Sequence, residues 1–308
     1  REVVLADATT VGYDDVVLAT GAAPRMLPGI VLDGVHALRT LDDCIALRDR
    51  LGPGVRVVVV GAGFIGLEVA ASARSHGADV TVVDVLSAPL SRVLDESIGA
   101  AVQALHQVNG VSFRLGVGVA AVEGGSRVER VVLGDGVVLP TDVLVVGIGV
   151  APSTSWLADS GLRIDDGVSC DASLRAGPGV WAVGDIARWP HHGPDAPTLR
   201  VEHWTNATEQ PLAVARGIVS GSAPPFETVP YFWSDQYDAK LQSLGSTTKG
   251  DETRVVVGSL DEPKWVALVR SGDRLGGVIG LRSAGRVMKT RPLLAAGVSW
   301  PDALDAFA

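Results

Sequence analysis

The stretch "VRVVVVGAGFIGLEVAASARSHGADVTVVD", Val55 to Asp84, decides how the chain folds. Its run of valines, Val57 to Val60, is the pattern of a strand buried on both faces, as in a parallel sheet. Gly61, Gly63 and Gly66 follow at G-x-G-x-x-G spacing, then an apolar-faced helix, then a second β-type run closing on Asp84. Each glycine has a mechanical reason. Gly61 permits the tight strand-to-helix turn, Gly63 lets the backbone approach a pyrophosphate, and Gly66 lets the helix lie close on the sheet. The positive end of the helix then meets the pyrophosphate. Strand, turn, helix and terminal acid together predict a dinucleotide-binding βαβ unit rather than an isolated glycine turn.

Asp84 selects the nucleotide. A carboxylate there accepts from the adenosine ribose hydroxyls and repels the extra phosphate of NADP, and the "VLSAPL" that follows holds no Arg to neutralise one, so NADH is expected. Arg92 admits two readings, a cation over the adenine or pyrophosphate and a solvated residue at a helix start. Glu68 also admits two. It is a dipole-stabilised acid near the start of a helix, and it points towards where a nicotinamide would lie.

Around this unit the chain reads as a soluble α/β protein. It has 308 residues, 47% of them hydrophobic and 20% charged, with 37 glycines and a net charge of -9. The negative balance excludes a phosphate-tracking nucleic-acid binder, and no apolar run reaches the ~20 residues of a membrane span. Cys44 and Cys170 lack metal-ligand or CxxC spacing, so no metal site is expected, and a reduced, cytoplasmic setting is. The opening "REVVLADATTVGYDDVVLATG" reads as a strand hairpin leading to the loop at Gly21, "LDDCIALRDR" (Leu41 to Arg50) as a short helix, and Met288 to Ala296 as a closing helix.

A second constellation is spread along the chain: "VVLATGAAP" at Val16 to Pro24, "VVGIGVAPST" at Val145 to Thr154 and "GVWAVGDIARWP" at Gly179 to Pro190. Each is an apolar run delivering small residues to the mouth of a sheet, and Gly184-Asp185 places a carboxylate where a polyhydroxyl chain can be bound. With "RTLDDCIALRDRL", "GAGFIGLEVAASAR", "LRVEHWTNATEQ" and "YFWSDQYDAKLQ", this order resembles the two-dinucleotide-binding-domain flavoproteins, in which an NADH domain is inserted into an FAD domain. Within them it is most similar to the ferredoxin reductases of oxygenase systems, the putidaredoxin reductase and aromatic dioxygenase reductase family. "FWSDQY" discriminates best, because the disulfide reductases of the wider superfamily carry a different C-terminal signature.

The resemblance implies an α/β fold in four segments: a remnant of the FAD domain at 1–40, an NADH domain at 41–150, the FAD return segment at 151–228 and a small α+β C-terminal domain at 229–308. It implies FAD and NADH as cofactors. Thr20, Gly21, Arg25, Gly184, Asp185, Glu202, His203, Trp204, Phe232 and Trp233 would form the FAD site. Gly61, Gly63, Ile65, Gly66, Glu68, Asp84, Arg92 and Gly149 would form the NADH site, Glu68 and Gly149 lying nearest the nicotinamide. For Trp204, Phe232 and Trp233, plain core packing is the competing reading. The family's opening strand-turn-helix has no counterpart in the chain, so weak or absent FAD binding is expected. No acid–base residue is required, since hydride transfer is the cofactors' chemistry.

The electron acceptor implied is an acidic [2Fe-2S] ferredoxin. "RSAGRVMKTRPLL" supplies Arg282, Arg286, Lys289 and Arg291 with no acid among them, which makes it the candidate docking patch, against a merely solvated helix face. The alternatives are a reductase with a disulfide, rubredoxin or monodehydroascorbate acceptor, and a non-catalytic NADH-binding flavoprotein.

Overall fold

The structure, a computed structural model, describes residues 1–191, 197–247 and 250–307. The chain divides into two compact units, one of Arg1–Ala23 with Ala151–Phe232, the other of Pro24–Val150 with Trp233–Ala308.

The second unit is built on the valine strand β1 (Arg56–Val60), the centre of a five-stranded parallel sheet. Strands β2 (Asp79–Asp84) and β3 (Ser112–Leu115) lie to one side, β4 (Val143–Val146) and the short strand Val35–His36 to the other. Because side chains alternate across a strand, β1 feeds two cores. Val57 and Val59 pack on Val69, Ala70 and Ala73 of helix α1 (Phe64–Ser75). Val58 and Val60 face Val131 and Leu133 of an antiparallel sheet formed by Val119–Glu123, Arg130–Leu133 and Val138–Pro140. Both faces of the strand are thus covered, which is why its sequence is apolar without alternation.

Helix α2 (Glu96–Val108) starts on Asp95, whose carboxylate accepts from Ser97 N at 2.9 Å. Its Ile98 and Val102 join Leu67 of α1 in a third core with Leu241, Trp265 and Ile279. Those residues come from a five-stranded antiparallel sheet: β5 (Tyr231–Gln236), β6 (Ala239–Gly245), β7 (Glu252–Val257), β8 (Trp265–Ser271) and β9 (Arg274–Leu281), in spatial order β5-β6-β9-β8-β7.

In the first unit, Val16–Leu18 runs parallel to Val180–Ala182, and Ala187–Pro190 pairs with Thr198–Arg200. Helix α3 (Trp204–Ser220) ends on Gly221, whose φ of 67° is the left-handed conformation glycine adopts without strain. Leu18, Leu157, Val168, Ala182 and Ile186 form one core, and Leu174, Trp181, Val183, Trp189 and Val214 another.

Two expectations are corrected. The opening hairpin pairs Glu2–Val4 with Thr10–Gly12, not with Val16–Leu18. The latter strand pairs with Val180–Ala182 because that buries Leu18 among Leu157 and Ile186, an apolar gain a surface hairpin lacks. The closing helix is two, α4 (Ala284–Lys289) and α5 (Arg291–Ala295). Pro292 cannot donate into a helix running through it and instead starts the second one. Among the described residues, no helix is long and apolar enough to cross a membrane.

Candidate nucleotide and flavin sites

The turn after β1 is held by fits that only glycine allows. Gly61 has φ +107°, and a Cβ there would stand 2.2 Å from Gly147 O. A Cβ on Gly66 would stand 2.0 Å from Gly61 O, so α1 lies directly on the turn. Gly63 differs: it is the N-cap of α1, and a Cβ on it meets nothing within 4 Å. Space of that kind, over the N–H groups that begin a helix, fits a pyrophosphate. Ile65 is 41% exposed beside it.

Asp84 does more than close its strand. One carboxylate oxygen accepts from Ala62 N at 2.6 Å, inside the glycine turn, and the other from Leu86 N at 2.9 Å. Each oxygen retains a lone pair for a ribose hydroxyl. Arg92 is exposed in the turn before α2 and makes no ion pair among the described residues. Gly149, at φ +93° with open space where a Cβ would be, accepts from Arg25 N at 2.9 Å. Arg25 Nε donates to Val150 O at 3.1 Å, so Arg25 belongs to the second unit with the nucleotide turn.

Glu68 is half-buried on the second turn of α1, and its Oε1 accepts from Ser234 Oγ at 2.6 Å. Burial raises its carboxyl above the usual range, the Ser234 hydrogen bond pulls it back, and the Asp235 charge raises it further. Ser234, Gln236 and Tyr237 lie in the "FWSDQY" stretch but were assigned no role from it, and His106, which joins them, was not brought forward. A signal existed for His106: it continues the buried face of α2 at four-residue spacing from Ile98 and Val102.

In the first unit, Gly184 opens a 3-10 turn at φ +71°, and its N–H donates to Gln210 Oε1 at 2.7 Å. The Asp185 carbonyl accepts from Arg200 Nη1 at 3.0 Å, and the same guanidinium pairs with Glu202 at 2.6 Å. Thr20 Oγ1 donates to Ser153 O at 2.9 Å, and Gly21 O accepts from Ser153 N at 2.9 Å. His203 precedes α3 and packs on Phe232 with ring centroids 4.9 Å apart. Burial lowers the imidazole to about 4, against a smaller upward pull from Asp185. Trp204 is 70% exposed. Trp233 lies in the second unit, with Lys240 Nζ 5.6 Å from its ring centroid.

Three buried polar atoms here, His203 Nδ1, Asn206 Oδ1 and Gln210 Nε2, have no hydrogen-bond partner among the described residues. Asn206 and Gln210 fall on one face of α3, and His203, its N-cap, extends the row at i, i+3 and i+7. An unpaired buried polar group costs roughly 1–3 kcal/mol, so three in a row mark a place for a polar ligand.

Comparison with known proteins decides which ligands. The family described as pyridine nucleotide-disulphide oxidoreductase matches residues 1–210, and the reductase C-terminal family matches 231–306. Rhodocoxin reductase of Rhodococcus erythropolis is 39% identical over 299 residues, 96% of this chain and 69% of that protein. The ferredoxin--NAD(+) reductase component of the anthranilate 1,2-dioxygenase system of Burkholderia cepacia is 38% identical over 310 residues, 98% of this chain and 74% of that protein. Among solved structures, the reductase in the covalent putidaredoxin reductase-putidaredoxin complex superimposes with a TM-score of 0.92 at 33% identity, over 98% of this chain and 74% of that one. The chain belongs to the ferredoxin reductases of oxygenase systems.

The fold of this ferredoxin reductase is therefore the two-dinucleotide-binding flavoprotein architecture with a reductase C-terminal domain. It is an oxidoreductase, and its cofactors are those of the family, FAD and NAD(H). The residues present fit both groups. The open cradle at Gly63 with Asp84 beside it suits the nucleotide, and the row of unpartnered polar atoms on α3 suits a flavin's heteroatoms.

Proposed function

We propose that the protein takes electrons from NADH through FAD to a small [2Fe-2S] ferredoxin serving an oxygenase. The observation that carries this reading is the glycine cradle closed by Asp84 in a chain whose C-terminal domain is of the reductase type. Bound FAD would supply the conversion from one hydride, carrying two electrons, to two single-electron transfers. The protein's own part is holding, orienting and keeping water out. Gly61, Gly63, Ile65, Gly66 and Asp84 hold the adenosine and pyrophosphate of NADH, Arg92 reaches the same half, and Glu68 and Gly149 flank the nicotinamide. The resemblance assigns Thr20, Gly21, Arg25, Gly184, Asp185, Glu202, His203, Trp204, Phe232 and Trp233 to the flavin. Its setting is the cytoplasm.

The docking patch narrows. Arg282 is tied to Asp238 and donates to Pro263 O at 3.0 Å, so its charge is used in holding the turn before α4. Arg286 and Lys289 stand exposed on α4, with Arg291 starting α5. An acidic ferredoxin is the partner that surface attracts. Charge reversal of Arg286 and Lys289 together should raise the apparent ferredoxin KM of the flavin-loaded protein about tenfold and flatten its salt dependence, with NADH oxidation by ferricyanide unchanged. Cytochrome c reduction by NADH that needs no added ferredoxin would overturn the acceptor, and an unchanged KM would overturn the patch.

A further inference from the structure

Glu68 stands at one end of a continuous hydrogen-bonded chain. Ser234 Oγ lies 2.6 Å from Glu68 Oε1, and Gln236 Nε2 lies 3.0 Å from Ser234 Oγ. Gln236 Oε1 lies 2.8 Å from His106 Nε2, and Tyr237 OH lies 2.9 Å from His106 Nδ1. His106, Ser234 and Gln236 are at most 2% exposed. The chain joins α1, α2 and the segment 234–237, all of them in the second unit.

The carboxylate dictates every direction in it. An ionised Glu68 only accepts, so the Ser234 hydroxyl donates to it and must itself accept from the Gln236 amide N–H. Gln236 Oε1 is then left to accept, which puts the proton of His106 on Nε2. Nδ1 accepts from the Tyr237 phenol. Every donor in the row therefore points towards Glu68. If Glu68 were protonated on Oε2, Oε1 would still accept from Ser234, but Oε2 would present a donor in place of an acceptor. The other groups hold the protonation states this needs. Burial keeps His106 neutral by lowering it, against an opposing pull from the Gln236 hydrogen bond. Burial also raises the Tyr237 phenol to about 12, with Arg74 pulling the other way, so Tyr237 remains a donor. Tyr237 and Asp238 form the turn joining β5 and β6, and Tyr237 sits there at φ +56°. That left-handed conformation costs of order 1 kcal/mol in a non-glycine residue, and it is retained where the phenol anchors the row.

We propose that Tyr237, His106, Gln236 and Ser234 are positioning residues for the nicotinamide end of the nucleotide: they tie one oxygen of Glu68 and leave Oε2 to accept from the carboxamide N–H of NADH. Oε2 has no partner among the described residues. The inference rests on the reading that Glu68 faces the nicotinamide. The charged group acting on Glu68 is Asp235, itself paired with Lys240 at 3.1 Å.

The test compares three probes bound to the whole chain by calorimetry: NADH, its reduced 3-acetylpyridine analogue, in which a methyl replaces the carboxamide nitrogen, and ADP-ribose, which lacks the ring. Ser234→Ala and His106→Phe should each weaken NADH about threefold to tenfold while leaving ADP-ribose and the analogue unchanged, and Ser234→Thr should restore NADH binding. A merely structural role would weaken all three probes together, and that result, or unaltered NADH binding, overturns the proposal. If the variants fail to fold, the unsubstituted protein decides. It should prefer NADH to the analogue by about tenfold at neutral pH and lose that preference as Glu68 protonates on acidification. Equal affinity at neutral pH overturns the relay with ADP-ribose binding intact, whereas failure to bind ADP-ribose at all removes the nucleotide site itself.

Discussion

Each unit of the protein buries a histidine, and the two are treated differently. In the second unit, both ring nitrogens of His106 are engaged, by Gln236 and Tyr237. In the first, His203 keeps Nδ1 without a partner, and Asn206 and Gln210 beside it on α3 each keep an unpaired atom. The second unit has unpaired atoms too, Trp265 Nε1 and Ser283 Oγ among them, but they do not cluster at the nucleotide turn. The histidine of the second unit is thus fully paired within the protein, whereas the row at the start of α3 leaves buried polar groups that a ligand could satisfy. The first arrangement gives a rigid site with a defined shape. The second makes stability depend on occupancy.

The largest expected effects break the nucleotide side of this contrast. Gly66→Ala drives a methyl into the Gly61 carbonyl, where the fit leaves 2.0 Å, and Gly61→Ala adds a strained φ to a clash with Gly147. Each should cost about 3–4 kcal/mol and lower the melting temperature by about 10 °C. Gly63→Ala meets no atom of the protein, so its melting temperature should stay within about 2 °C while affinity for ADP-ribose falls tenfold or more. Thermal melts with and without ADP-ribose read both quantities. A Gly63→Ala protein that binds as well as the parent would place the pyrophosphate elsewhere.

A smaller effect probes the flavin side. His203 has an ordinary value of 6.5 and is lowered to about 4 in the fold, so between those values the unfolded chain binds the extra proton. The contribution is fully present above about pH 6.5 and is lost as pH falls towards 4, up to about 3 kcal/mol in all. His203→Phe keeps the packing on Phe232 and removes the titration. Urea unfolding of parent and variant across pH 4 to 7 should give curves that diverge on acidification, the parent losing more. Parallel curves would show that His203 is protonated without cost, and so is not sealed from water.

What the sequence made legible follows from distance along the chain. The turn glycines and Asp84 sit within one βαβ unit whose spacing is set by local geometry, so their placement could be read directly. The bond from Asp84 to Ala62 could not, although it closes that same turn. The relay to Glu68 was hidden for a different reason: His106 and Gln236 are 130 residues apart, and only the packing of α2 on the C-terminal sheet brings them together. Charge alone did not show how a guanidinium is used. Arg282, in the stretch read as a docking face, ties the Asp238 turn, and Arg25 pairs with the backbone of Val150. A guanidinium has donors enough to be structural wherever carbonyls converge, and sequence does not show where they converge.

The smallest effect asks whether the first unit is open throughout or only along α3. Cys170 lies in its apolar core beside Val168 and Ile186, and its thiol donates to Val168 O at 3.3 Å. Burial pushes that thiol up to about 12, with Asp171 adding to the rise. Cys44, on the helix Leu41–Arg48 of the second unit, is exposed. Thiolate is the reactive form, so a native protein treated with a disulfide reagent near neutral pH should release one equivalent quickly, from Cys44, and the second only in denaturant. Cys44→Ser should abolish the fast phase without altering the melting temperature. If Cys170 reacts as fast as Cys44, the core around Ile186 opens on the timescale of labelling. The unpaired atoms on α3 would then reflect a loosely packed unit instead of a pocket shaped for a ligand.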